Sequence, residues 1–551
     1  MGKEKKIESN FLVQGSILAV ASIISRVIGL LYRIPLKAII GDIGNDYYGT
    51  AMEIYSILLL ISSYSLPLAV SKLVSTRMAK GQRRNAYRIL KGALIFALVS
   101  GTAAGLVVYF GAGVITAYVV KTPMSIFALR VLAPTLLIVA LLGVMRGFFQ
   151  GMGTMMPSAI SQLIEQIVNA GISVWTAYML YQYGTKIGAV LGNPSTYAEA
   201  YGAAGGTIGT GMGALAAFLF TVFVFISYRP NLRRGVQKDK GKRVEGYGRI
   251  FHVLLITIVP VLLSTTIYNI TSFLDMGVFK HIADLQGYQS REYSTMWGIY
   301  VGEYKVLVNV PIAIASSVSA SCVPSLSTAF AGKDIAQVKR KVGYSIRFIM
   351  VIAIPCAVGM GVLASPILQL LFHDSRPMPA HMMQIGAVSI VFYSLSTLSN
   401  GILQGINRMN VPVKNALITL AVHMSVLVAL MYALNLNIYA VVWANTFFSL
   451  MMCILNGRAI RRYLKYQQEV RRTFIVPAIS ALIMGAVVYG VYALLMKALG
   501  INMVATVLSI VAGVCVYGIV LLLLRGLREN ELRSFPMGGM IVKVAKKLKL
   551  M

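Results

Sequence analysis

The chain runs as long apolar blocks separated by short polar breaks, and the blocks are too uniformly apolar to be single faces of soluble helices. A transmembrane helix needs roughly 20 predominantly apolar residues, and Ile479–Ala498 and Val504–Leu524 are clear instances. The pattern predicts spans at 10–34, 48–74, 87–110, 125–148, 157–181, 203–228, 250–279, 297–323, 343–371, 382–404, 413–434, 438–456, 474–496 and 502–525. The expected fold class is all-α and integral to the membrane, with about fourteen transmembrane helices.

Polar residues between the spans set an orientation. With the N-terminus inside, every even-numbered loop is cytoplasmic, and those are the basic ones: Ser75–Lys91, Arg229–Arg249, Lys333–Arg347, Arg458–Arg472 and the tail from Arg525. Lys and Arg accumulate on the cytoplasmic side of membrane proteins. Both termini are therefore expected on the cytoplasmic side of the membrane. Met1–Ser9 reads as a retained cytoplasmic end, because no small-residue cleavage site follows.

Composition agrees. Of 551 residues, 57% are hydrophobic and 12% charged, whereas soluble domains carry about a quarter charged. The net charge of +32 reports topology. No soluble basic domain exists to host a nucleic acid, so none is expected as a partner. The four cysteines are scattered through apolar blocks and indicate neither a disulfide framework nor a metal site.

The chain also repeats itself. Gly147-Phe-Phe-Gln150-Gly151 with Met155 recurs as Gly401-Ile-Leu-Gln404-Gly405 with Met409, 254 residues later, and a proline follows each copy (Pro157, Pro412). Pro67 with Ser71, and Pro324 with Ser327, likewise end the second and eighth spans ahead of basic loops. Spans 1–6 and 7–12 are expected as two pseudo-symmetric six-helix lobes in parallel, with the substrate site at the repeat interface. The expected divisions are 1–249 with its basic linker, 250–465, and 466–551 holding two extra C-terminal spans and the tail.

Ionisable residues within spans are costly and default to function. Arg26 and Arg33 in the first span are two helical turns apart, and Arg26 lies roughly 12 Å from the outer end at 1.5 Å per residue. Snorkelling competes with a cavity role, less so for Arg26 than for Arg33. Lys305 in the eighth span has similar depth and begins a polar stripe with Asn309 and Ser316. Glu303 points to another side, and Glu53 in the second span sits at comparable depth. The fifth span carries Ser158, Gln162, Glu165 and Asn169 on one face; the seventh carries Ser264, Tyr268, Thr271 and Asp275. Such stripes glue helices together or line a hydrated cavity. Glu165 and Asp275 are candidates for a coupling cation or proton, with Glu303, Gln162 and Asn169 near the cavity.

No Walker A motif, metal-ligand pair or nucleophile elbow is present, which excludes a built-in ATPase and offers no sign of an enzyme or cofactor.

Arg146-Gly-Phe-Phe-Gln-Gly-Met-Gly-Thr-Met-Met-Pro-Ser-Ala-Ile-Ser-Gln-Leu-Ile-Glu-Gln166 resembles a signature of the polysaccharide-transport branch of the multidrug/oligosaccharidyl-lipid/polysaccharide exporter superfamily. Ser25-Arg-Val-Ile-Gly-Leu-Leu-Tyr-Arg33 resembles the first span of lipid II flippases, Pro311 through Pro324-Ser-Leu-Ser327 their eighth, and Ser65-Leu-Pro-Leu-Ala-Val-Ser-Lys72 the stage V sporulation protein B group. The resemblance covers essentially the whole chain. It implies that Arg26, Arg33 and Lys305 contact a diphosphate-sugar headgroup, and that the two extra spans form a groove for the lipid tail. The second span departs from the pattern: Glu53, Ser62, Ser63 and Tyr64 stand where those flippases have arginines.

The sequence thus points to a flippase moving a lipid-linked cell-wall precursor, of lipid II or related undecaprenyl-diphosphate oligosaccharide type, from inner to outer leaflet. The lipid bilayer, a coupling ion (Na+ or H+) and cell-wall synthesis proteins are the expected partners, in vegetative growth or sporulation. The other readings are a cation-coupled multidrug antiporter, which should line its cavity with carboxylates, and a non-transporting scaffold of envelope or spore assembly.

Overall fold

The computed structural model describes residues 20–60, 66–237, 239 and 244–527. Met1–Ser9, the start of the first span, Ser62, Ser63, Tyr64, five residues of the linker (238 and 240–243) and the basic tail beyond 527 lie outside the described residues, as do the side chains of Ser264, Tyr268 and Pro324. Helices follow the apolar blocks. They are α1 (Val20–Leu31), α2 (Arg33–Leu59), α3 (Leu66–Ala79), α4 (Arg83–Val114), α5 (Ile126–Gly151), α6 (Met156–Leu191), α7 (Pro194–Gln237), α8 (Tyr247–Leu285) and α9 (Ser290–Ile299). After these come α10 (Lys305–Ala331), α11 (Ile335–Val362), α12 (Ala364–Phe372), α13 (Pro377–Gly405), α14 (Asn410–Ala433), α15 (Ile438–Leu464), α16 (Val476–Leu499) and α17 (Asn502–Leu523).

The protein is an all-α, multi-pass membrane protein. Among the described residues ten helices are long and apolar enough to span a bilayer. The remaining four expected spans are helical wherever they are described. Of these, α1 and α8 are described only in part; α2 carries Arg33, Lys37, Asp42, Asp46 and Glu53, and α6 bears the polar stripe.

The chain forms two compact units, Met1–Gly302 and Glu303–Met551. The first ends 53 residues beyond the boundary expected at 249, because α8 is bound into it. Ile250, Leu254 and Ile258 of α8 join an apolar cluster with Leu66 and Val70 of α3, Ile89 and Leu90 of α4 and Phe148 of α5. Within this unit α6 and α7 pack backbone to backbone. A Cβ on Gly205 would lie 2.4 Å from the Thr176 carbonyl oxygen, and one on Gly213 2.5 Å from that of Glu165. Small residues at helical spacing permit this approach in a membrane, where dispersion rather than the hydrophobic effect holds helices together.

The stretch expected as a first outer loop is helical from Arg33. It breaks only at Gly41, whose φ of 70° and ψ of −174° suit glycine alone. Lys37 and Asp42 pair across the break at 3.2 Å.

In the second unit the two trailing helices are anchored by polar contacts. Tyr517 donates to the Val351 carbonyl at 2.9 Å, and Asn502 Nδ2 to that of Pro366 at 3.1 Å. The two copies of the glycine motif do equivalent work in their own units. Gly147 and Gly151 on α5 bring it against the backbone of Pro67 and Ser71 on α3; Gly401 and Gly405 on α13 meet Ser319 and the Val323 carbonyl of α10.

Candidate functional site

In the first unit, α1 is seated on α6 by two small residues. Ser22 Oγ donates to Gln162 Oε1 at 2.9 Å, and Gly29 is so close that a Cβ would lie 3.1 Å from Gln166 Oε1. Arg26 lies between these contacts, at i+4 from Ser22 and i−3 from Gly29, hence on the same face. It is exposed on a helix that also exposes Val20, Ile23, Ile24, Val27 and Leu31.

Helical hydrogen bonds run on through Tyr32, from its N–H to Ile28 and to its carbonyl from Leu36, so the seven-residue spacing to Arg33 survives. The surroundings differ. Arg33 is half-buried, interacts with Tyr48, Tyr32 and Glu53, and hydrogen-bonds Tyr32; the two phenols meet at 2.9 Å. The structure therefore brings Arg33 of the first expected span and Glu53 of the second around one pair of tyrosines.

The stripe on α6 serves several partners. Gln162 accepts from Ser22, as above. Ser158 donates to the Arg146 carbonyl at 3.3 Å, and Asn169 accepts from Ser173 at 2.8 Å. Glu165 is bound by Arg146 of α5 at 2.7 Å, and Arg146 Nε also donates to Ser161 at 2.8 Å. A carboxylate held by guanidinium is already neutralised, so Glu165 has its counter-charge from within the protein. On α8, Thr271 and Asp275 are buried.

The run from Tyr300 winds as a π-helical turn through Tyr304, and α10, in the second unit, begins at Lys305. Such turns commonly mark functional positions in membrane and soluble helices alike. Lys305 is half-buried and Asn309 exposed, while Ser316 turns back to the Ile312 carbonyl at 3.0 Å. Glu303 is fully buried, 3.9 Å from Arg376, which also clasps Asp374. Asp374 lies in the loop before α13. Burial opposes its ionisation, but hydrogen bonds from the Arg376 side chain and backbone and from Glu303 outweigh that and bring its carboxyl down to about 2.

Sequence reasoning passed over Arg146, Asp46, Lys280, Asp374 and Arg376. Arg146 falls at the cytoplasmic margin of the fourth expected span, where a cation is expected from topology alone. Asp46 and Lys280 fall one or two residues outside expected spans, yet both are fully buried. The spacing of Ser158, Ser161 and Glu165 on one α6 face was the available signal for a cationic partner.

No group of three metal-ligating side chains exists among the described residues. The sequence profile described as Lipid II flippase MurJ matches residues 83–510. The Lipid II flippase MurJ of Bacillus subtilis (strain 168) is 23% identical over 501 residues, covering 87% of this chain and 88% of its own. The Stage V sporulation protein B of the same organism is 23% identical over 464 residues, covering 84% and 86%. Among solved structures, "Lipid II flippase MurJ, inward closed conformation" aligns with a TM-score of 0.59 at 15% identity, over 91% of this chain and 97% of that one. An inward-facing multidrug resistance MATE family transporter of the MOP superfamily reaches 0.60 at 15%, over 81% and 99%. The fold is that of these transporters. The profile covers well over half of the sequence, and the chain belongs to the MurJ family of the multidrug/oligosaccharidyl-lipid/polysaccharide exporter superfamily: integral membrane transporters, not enzymes.

Proposed function

We propose that this protein flips a lipid-linked cell-wall precursor, an undecaprenyl-diphosphate oligosaccharide of lipid II type, from the inner to the outer leaflet by alternating access. The proposal takes the fold as fourteen spans, two six-helix lobes plus a trailing pair, with both termini cytoplasmic. The supporting observation is Arg26, an arginine exposed on an apolar membrane helix between that helix's two contacts with α6. An ionisable residue within an apolar membrane helix is by default a candidate for the transport path. Arg33, at the head of α2, and Lys305, beside the π-helical turn, supply further positive charge at membrane depth.

The physics of the cargo fits. A diphosphate and a glycan cannot cross hydrocarbon unaided. Arg and Lys hold diphosphate oxygens by charge-assisted hydrogen bonds, while the prenyl tail remains in lipid, along α16 and α17 in this reading. Anionic cargo moves outward with an inside-negative potential, which supplies about 2.3 kcal/mol per charge per 100 mV. An antiporter of organic cations would present carboxylates instead; Glu165 is occupied by Arg146.

The test is complementation of a strain depleted of its own flippase. Arg26→Ala and Lys305→Ala should each abolish growth rescue at wild-type expression. Full rescue by the double variant would overturn the assignment of these cations to the substrate.

A further inference from the structure

The most completely buried charges in the first unit lie apart from Arg26 and Arg33. Lys280 of α8 and Asp46 of α2 have side chains wholly excluded from solvent and pair at 2.6 Å. The Lys280 ammonium also donates to Thr122 Oγ1 at 2.6 Å and approaches Thr50 Oγ1 at 3.3 Å. Both threonines are buried as well. Thr50 Oγ1 donates to the same Asp46 oxygen at 3.1 Å and lies 3.3 Å from Met276 Sδ. An ammonium has three N–H donors and no acceptor, and here it meets three oxygens brought from α2 and from the segment after α4. The second carboxylate oxygen of Asp46 is buried with no hydrogen-bond partner among the described residues.

One carboxylate and two hydroxyls converging on a desolvated point, with a spare carboxylate oxygen beside them, are hard oxygen donors of the kind that bind alkali cations. In this chain the point is filled from within. We infer that Asp46, Thr50 and Thr122 form a monovalent-cation cradle in which the Lys280 ammonium stands as a permanently tethered cation. The tether makes the occupant independent of sodium or potassium concentration. It also fastens α8 to α2 and to the segment after α4, which accounts for α8 belonging to this unit. Asn45, beside the cradle, extends the fastening by donating to the Gly298 carbonyl at 2.8 Å.

The chemistry separates this from an ordinary buried ion pair. Deleting the lysine of an ordinary pair strands the carboxylate, and no small cation relieves it. Deleting the tether from a cradle leaves a vacancy that a free cation can fill, and filling stabilises the fold in a saturable way. The experiment is thermal unfolding of the purified full chain carrying Lys280→Ala in choline chloride, titrated with NaCl, KCl and methylammonium chloride at constant ionic strength. The cradle predicts a melting temperature below wild type in choline. It should rise saturably by about 3 °C or more with at least one of the three, with no such rise in wild type or in Asp46→Asn/Lys280→Ala. Equal salt responses in all three proteins overturn the inference. Should Lys280→Ala not be recoverable in choline, extraction in each salt decides the matter. Recovery of folded protein in one of them supports the cradle. Failure in all, for Lys280→Ala and Lys280→Ser alike, overturns it.

Discussion

The 254-residue repeat sets two helix pairs side by side for comparison, α5 with α6 in the first unit and α13 with α14 in the second. Arg146, Ser161 and Glu165 in the first correspond to Asn400, Asn415 and Thr419 in the second. The first pair is joined by charge, Arg146 to Glu165 and Ser161. The second is joined by amides: Asn456 of α15 donates to Asn400 at 2.7 Å and Ser399 at 3.0 Å and accepts from Asn415 at 2.8 Å. The glycines that draw α5 onto α3 and α13 onto α10 are common to both. Backbone packing is thus retained across the repeat while the polar fastening is rewritten. Charge in this protein is a local choice of each unit and is not imposed by the scaffold.

The largest break in that comparison should come from the charged side. Arg146→Met leaves the half-buried Glu165 carboxylate without its guanidinium and should lower stability by about 2–3 kcal/mol, the cost of stranding a charged hydrogen-bonding group. Arg146→Met/Glu165→Gln should recover most of it, as read by thermal unfolding in detergent. A steric prediction comes next. Gly147→Ala and Gly401→Ala should each cost about 1–3 kcal/mol by overpacking, through Pro67 in one unit and Ser319 in the other. Tolerance of one and not the other would mean that the shared packing is not shared in energy. The amide network should be softer still. Asn456→Ala should cost about 1–2 kcal/mol, because its three partners carry no charge. A loss matching that of Arg146→Met would erase the distinction.

The smallest effect concerns pH. Asp374 is held at about 2 by Arg376 and Glu303 against the opposing effect of burial, below the ordinary value near 3.9. A carboxyl depressed in the folded state contributes stability above its unfolded value, and that contribution is lost as pH falls through its folded value. Asp374→Asn should therefore flatten the fall in melting temperature between about pH 4 and 2 and leave the profile above pH 5 parallel to wild type.

Much of the fold was legible because a bilayer leaves a chain few options. Within the described residues each expected span is built of helix, since an apolar run in lipid must satisfy its backbone internally. What escaped was pairing. Asp46 looked like a loop residue because it lies two positions before an apolar block, and only the Gly41 break and the approach of α8 show it to be buried. Glu165 looked available for a cation because its partner, Arg146, is on another helix. Arg26 and Lys305 stand out in the sequence because each is a cation within an apolar block, which is visible without knowledge of neighbouring helices. The membership of α8 in the first unit was hidden for the same reason as the pairings. The unit boundary at Gly302 reflects contacts such as Lys280 with Asp46, which a repeat in the sequence does not report.

The central claim is that Arg26 and Lys305 move an anionic lipid-linked cargo across the membrane. Leaflet-resolved measurement of lipid II in flippase-depleted cells tests it most directly. Cells expressing the wild-type chain should expose lipid II in the outer leaflet at the level of undepleted cells. Cells expressing Arg26→Ala/Lys305→Ala at equal abundance should accumulate it in the inner leaflet. Equal outer-leaflet exposure with the two proteins, or none with the wild type, would contradict the account.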